Sequence, residues 1–130
     1  MKLIETTEEL SDFCLYASKF DFVTIDTEFL REKTYYSKLC LVQMAVDSND
    51  PCSAAIIDVL SPKLNLEPLY KLLIDNNIIK VFHAARQDLE IFYNLTNVLP
   101  SPIFDTQVAA MVCGFGEQVG YDSLVKNITG

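Results

Sequence analysis

Two carboxylates one residue apart, Asp26 and Glu28, are the side chains in this sequence best placed to do chemistry. They close a short β-branched run, Phe22-Val23-Thr24-Ile25-Asp26-Thr27-Glu28, that reads as a strand. Side chains at i and i+2 of a strand point to the same face. Two acids held so repel, and each raises the other's pKa unless positive charge sits between them. A divalent cation, Mg²⁺ or Mn²⁺, supplies that charge, and such hard ions take oxygen ligands. The plainer alternative is that both side chains turn to water at the strand end. Asp88 adds a third acid. It falls one turn into a helix read over about Ala84 to Asn94, just after a strand ending at His83. A parallel sheet gathers its βα loops along one edge, where ligand crevices form. If the two strands are parallel neighbours, Asp26, Glu28 and Asp88 converge. Such a set suits two metal ions acting on a phosphodiester, one activating water and the other stabilising the leaving oxygen.

The remaining polar features carry less. His83 ends a strand beside these acids, where a structural hydrogen bond is the commoner role of a lone histidine. Asp105-Thr106 reads as an N-cap pair opening a helix. Gly114, Gly116 and Gly120 spell G-x-G-x-x-x-G, which misses the dinucleotide fingerprint by one residue and follows a helix rather than a strand. Arg31, Lys33 and Lys38 surround Tyr35 and Tyr36. Cations interleaved with aromatics suit a single-stranded nucleic-acid backbone and its bases; an ordinary solvated loop has the same composition.

The elements that must position these residues follow from periodicity. Thr6-x-x-Glu9 is a capping box, and Leu10, Phe13, Cys14 and Ala17 follow at helical spacing, which predicts a helix from about Thr7 to Ser18. Strands are expected at Phe22–Glu28, Leu39–Val46 and Ala54–Asp58. No helix separates them, so antiparallel pairing is expected. Beyond Pro62 the pattern becomes a helix over Glu67–Asp75, a strand over Ile78–His83, the helix bearing Asp88 and a short strand at Ile103–Asp105. That alternation implies parallel crossovers. Helices from about Thr106 to Cys113 and Tyr121 to Ile128 complete the chain. The expected class is α/β: a mixed sheet, an antiparallel meander followed by parallel strands, with flanking helices.

Composition bounds the reading. The 130 residues make one domain at ~100–200 residues per domain. Half are apolar, which excludes a disordered chain. No apolar run approaches the ~18–20 residues of a membrane span, and Glu5 interrupts any secretory signal, so no membrane partner is expected. The net charge of −8 argues against coating nucleic acid through bulk charge, yet agrees with carboxylates gathered for cations. Cys14, Cys40, Cys52 and Cys113 form no C-x-x-C and no zinc spacing. They read as free, mostly buried thiols of a reducing, cytoplasmic setting.

Three segments carry a resemblance. F-V-T-I-D-T-E-F-L-R-E-K-T-Y-Y-S-K-L-C-L-V-Q resembles the first exonuclease motif of the ribonuclease D family, V-F-H-A-A-R-Q-D-L-E-I-F its second, and P-I-F-D-T-Q-V-A-A-M-V-C-G-F-G the segment that follows. The match is collinear from Ile4 onward. It implies a ribonuclease-H-like fold of the DEDD 3′→5′ exonuclease superfamily, with Asp26, Glu28 and Asp88 as catalytic, metal-binding acids and two divalent metal ions as the only cofactors. It further implies release of nucleoside 5′-monophosphates from RNA 3′ ends, tRNA precursors and other small structured RNAs among them. Thr27, Phe29 and His83 border the motifs and are expected to contact the terminal nucleotide. The family's third motif, Y-x-x-x-D, supplies a fourth acid and a tyrosine that orients water. Tyr121-Asp122 does not have its spacing. On that comparison residues 1–130 read as a C-terminally truncated exonuclease domain, an N-terminal fragment expected to be inactive by itself. The alternative is a non-catalytic module that holds nucleic acid or protein on a degenerate nuclease fold.

Overall fold

A computed structural model describes residues 1–31, 33 and 35–130 of the chain. Among these, six strands form one mixed sheet: β1 (Lys2–Ile4), β2 (Phe22–Leu30), β3 (Lys38–Ala45), β4 (Ala54–Asp58), β5 (Ile79–Phe82) and β6 (Ile103–Asp105). The spatial order is β1-β4-β3-β2-β5-β6. β2, β3 and β4 pair antiparallel, as two short connections require. β2–β5 and β5–β6 are parallel, each joined through a helix. The helices are α1 (Thr7–Ala17), α2 (Glu67–Leu73), α3 (Arg86–Thr96), α4 (Thr106–Val112) and α5 (Tyr121–Thr129). None among the described residues is long and apolar enough to cross a membrane.

Alternation along the strands decides which face is covered. Val23 and Ile25 of β2, Val42 and Met44 of β3, Ala55 and Ile57 of β4 and Phe82 of β5 are buried in one cluster with α1, α2 and α3. The helices contribute Leu10 and Phe13, Leu69 and Leu72, and Ile91 and Phe92. α1 is fixed at its start as its sequence dictates: Thr6 Oγ1 accepts from the Glu9 N–H at 3.3 Å, and the Glu9 carboxylate accepts from the Glu5 N–H at 3.2 Å. The opposite face of β2 presents Thr24, Asp26 and Glu28, all exposed. The central place of β2 and the expected pairing on both of its sides are therefore as the sequence indicates.

Three features depart from the sequence reading. β1 was not anticipated. Its three residues are too short to show a period, and only the parallel partner β4 makes them a strand, with Ile4 fully buried. The Asp88 helix begins at Arg86 rather than Ala84, because Ala84 takes a left-handed φ of 55° that ends the strand in a turn. The four cysteines are free, but Cys14 alone is buried; Cys40 is half-buried and Cys52 and Cys113 are exposed. Burial pushes the Cys14 thiol up to about 12, so it is an inert part of the core.

Lys80 is the costliest residue of that core. It occupies an inward position of β5 with no solvent exposure. Its ammonium donates to the carbonyls of Asp75 (2.6 Å), Ile78 (2.7 Å) and Ser101 (2.6 Å), which ties the α2–β5 turn to the segment entering β6. Burial lowers its pKa, and the Asp75 carboxylate works against that shift. Lys80→Met would fill much of the space but take the donor from the Ile78 and Ser101 carbonyls and weaken the hold on that of Asp75, which keeps the Ile78 N–H at 3.4 Å; each carbonyl left without a donor costs about 1–3 kcal/mol. Urea unfolding of this variant is expected to show at least about 2 kcal/mol less stability than the wild type; an unchanged midpoint would mean the clamp is energetically idle.

Candidate active site

Register places Asp26 and Glu28 on one face of β2 and leaves room for α3 to bring Asp88 against Thr27 between them. β5 pairs with β2 only at Phe22, Val23 and Thr24. Beyond Thr24 the β5 side of β2 has no strand partner, and the turn at residues 83–85 leads α3 into that gap. Asp88, in the first turn of α3, reaches β2 from the side. On the other side β3 continues, with Gln43 opposite Asp26 and Leu41 opposite Glu28. A bulge falls between Glu28 and Phe29, a device that re-aims side chains beside sites.

The three acids have different surroundings. Asp26 and Glu28 are exposed on one face of β2. Asp88 is buried at 8% exposure, and its Oδ1 accepts a hydrogen bond from the Thr27 hydroxyl. Burial pushes its carboxyl above the ordinary value; the Thr27 hydrogen bond works against this, and the charge of Asp26 pushes it further up. Asp26 is thus the common member of two acid pairs, with Glu28 along its own strand and with Asp88 across the gap.

Whether a divalent cation suits these residues is a question of donor chemistry. Among the described residues no three acid, His or Cys side chains are already drawn into a cage. The donors are all carboxylate oxygen, however, and they concentrate like charge that a cation relieves. Mg²⁺ keeps several waters and is commonly held by one or two carboxylates plus substrate phosphate. The set fits such an ion.

The neighbouring residues expected to meet substrate have protein partners. Thr27 lies on the buried face and is engaged with Asp88. Phe29 is half-buried against the core. His83 uses both ring nitrogens: Nδ1 lies 2.8 Å from Thr106 Oγ1, and Nε2 lies 3.0 Å from the Val119 carbonyl. A carbonyl only accepts, so Nε2 carries a proton. The single Thr106 hydroxyl proton lies between Nδ1 and the Phe82 carbonyl, whose oxygen is 3.1 Å from Oγ1. Tyr121 sets its ring edge-on to His83 at 5.7 Å. His83, Thr106 and Tyr121 then wall a cavity of about 450 Å³ that opens on Asp26 and Gln43. The basic segment after β2 is exposed at Arg31, Lys33, Lys38, Tyr35 and Tyr36, with Tyr35 and Tyr36 edge-to-face at 5.0 Å. Glu32 and Thr34 lie outside the described residues.

Asp105 does more than the sequence reading assigned. It caps α4 by accepting from the Gln107 N–H at 2.8 Å, as expected of an Asp-Thr pair. It also accepts from the N–H groups of Ala84 (3.0 Å) and Ala85 (2.9 Å), and so holds the turn that aims α3 and Asp88 at β2. Only the left-handed Ala84 explains this, and a sequence shows no sign of that conformation. Gln43 was likewise missed, and Thr106 was read only as part of a cap; neither type nor spacing marks their place beside Asp26 and His83.

The whole chain, residues 1–130, matches the family model described as 3′-5′ exonuclease. It is 58% identical over 125 residues to the ribonuclease D of Jannaschia sp. (strain CCS1), an alignment covering 96% of this chain and 32% of that protein. Among solved structures it superposes on Escherichia coli RNase D, an exoribonuclease involved in structured RNA processing. The TM-score is 0.89 and the identity 36%, over 99% of this chain and 33% of that one. Brucella melitensis NrnC with bound Mg²⁺ matches at a TM-score of 0.73 and 26% identity, covering 98% of this chain and 59% of that one. The chain spans about a third of the length of the curated relatives it matches.

The Asp105 clamp has a pH signature. Burial works to raise its carboxyl, but the N–H groups of Ala85, Gln107, Ala84 and Val108 outweigh that and hold it below the ordinary carboxylate value. A depressed folded pKa contributes stability that is present above the unfolded value of about 3.9 and is lost as pH falls through the folded value. Asp105→Ala is expected to cost about 1–2 kcal/mol at pH 7 and to flatten the acid limb of stability against pH. Urea midpoints at pH 7 and pH 3 check this, and parallel curves for the two proteins would contradict it.

Proposed function

The chain belongs to the 3′-5′ exonuclease family, with ribonuclease D among its relatives, and from that premise we propose that it supplies the acid face of a cation-dependent exonuclease trimming RNA 3′ ends. One observation carries the reading: Asp26 is shared between Glu28 and Asp88, so the acids offer two adjoining cation positions rather than one. Asp26 and Glu28 hold the first from the open face of β2, and Asp26 and Asp88 hold the second at the gap left by β5. Bound there, two divalent ions would supply Lewis-acid charge to the scissile phosphate and lower the pKa of the attacking water.

The reaction proposed is hydrolysis of the terminal phosphodiester. Water adds to phosphorus, the bond to the 3′ oxygen of the preceding nucleotide breaks, and a nucleoside 5′-monophosphate leaves. The role of this chain's residues is to fix the acids: Asp105 holds the α3 turn, and β3 holds β2. Small structured RNAs, tRNA precursors among them, are the substrates proposed for the whole protein. Support comes from the ribonuclease D relatives and from Arg31, Lys33 and Lys38, exposed just beyond Glu28. A cytoplasmic setting agrees with four cysteines that are all free.

Titration calorimetry with Mn²⁺ tests the reading on this chain. Wild type is expected to bind, and Asp26→Ala to lose at least about tenfold in affinity, since it removes a ligand from both positions. In a protein of the relatives' length, Asp26→Ala and Glu28→Ala are each expected to slow trimming of a 5′-labelled RNA by about 10²-fold or more. Equal Mn²⁺ binding by wild type and Asp26→Ala would remove the site.

A further inference from the structure

We propose that Thr27 is a positioning residue whose buried hydroxyl holds Asp88 in place for cation binding; this rests on the acid face being a cation site. The argument begins with the strand. Val23, Ile25 and Thr27 are the three successive inward positions of β2, and all are buried. The first two are ordinary core residues. At the third, valine would fill nearly the same volume, so packing gives no reason for a hydroxyl.

A hydroxyl taken out of water costs free energy unless it is hydrogen-bonded. The partner of this one is Asp88 Oδ1, itself buried. Thr27, Asp88 and Lys80 are the buried polar or charged residues among those described. Lys80 is accounted for by its three carbonyls. Thr27 and Asp88 account for each other.

The bond also opposes a specific force. Asp26 adjoins Thr27, whose hydroxyl touches Asp88, and like charges drive the two carboxylates apart. Asp88 stands in the first turn of α3, with two free side-chain torsions of its own. The backbone N–H groups of Thr27 and of Asp88 itself also face this carboxylate, but the hydroxyl is the larger hold, and without it repulsion would shift Asp88 away from Asp26 and from a shared ion. Thr27 is bonded in sequence to both Asp26 and Glu28, so its hydroxyl refers Asp88 to the same stretch of backbone that sets the other two acids. A rotation or slip of α3 is resisted at the site itself.

Partners that orient a metal-binding group typically change metal affinity by 10–100-fold when removed. The test uses Mn²⁺ alone as the probe, with calorimetry on wild type, Thr27→Val, Thr27→Ser and Asp26→Ala, well below their unfolding temperatures. Thr27→Val keeps the shape and is expected to lose about tenfold or more in Mn²⁺ affinity; Thr27→Ser keeps the hydroxyl and is expected to bind within about threefold of wild type. A purely structural threonine would lower the unfolding temperature of the metal-free chain and leave affinity unchanged. Loss of binding in Asp26→Ala with full binding in Thr27→Val overturns this proposal and leaves the cation site standing. Equal losses in the valine and serine variants overturn it too, because the hydroxyl would then not be the determinant. A wild-type chain that binds no Mn²⁺ overturns both.

Discussion

The site depends on where one ladder stops. β2 and β5 hydrogen-bond only as far as Thr24, while β2 runs on to Leu30. Had β5 continued beside residues 26–28, its backbone would occupy the flank from which α3 delivers Asp88. The early end of β5 is itself imposed by the left-handed turn at Ala84, which Asp105 secures from β6 and α4. A strand at the far side of β5 thus decides how a helix on the near side meets the central strand.

Charge is handled by separation and by local pairing. The net charge is −8, and the described residues show two ion pairs, Lys2–Glu9 and Lys71–Glu67, both exposed and of little energetic weight. Among the described residues no ion pair joins the acids of the site to a basic side chain. Asp88 is instead stabilised by a hydroxyl and Asp105 by backbone N–H groups, and Asp26 and Glu28 face outward. Lys80, the one buried cation among the described residues, places its charge on carbonyls at the opposite end of β5.

Much of this was legible in the sequence, and the limits have physical causes. The short β-branched run Phe22–Glu28 marked the strand, and the i, i+2 spacing of Asp26 and Glu28 marked their shared face, which is open where the other side of β2 is covered by α1, α2 and α3. The helical spacing of Leu10, Phe13, Cys14 and Ala17 marked α1 for the same reason. β1 was illegible because three residues carry no period, and the α3 boundary because a positive φ at an alanine leaves no compositional trace. The orientation of His83 was equally hidden: its partners, Thr106 and Val119, are 23 and 36 residues away. Thr27 sat in plain view between two acids, yet its contact with Asp88, 61 residues away, shows only in three dimensions.

The central claim is that Asp26 is shared by two adjoining cation positions. Anomalous diffraction from crystals of this chain soaked in Mn²⁺ addresses it directly, because the peaks report position rather than affinity. The account predicts density within about 2.0–2.2 Å of an Asp26 carboxylate oxygen, flanked by Glu28 on one side and Asp88 on the other. Peaks confined to other surface acids, with none at Asp26, would contradict it.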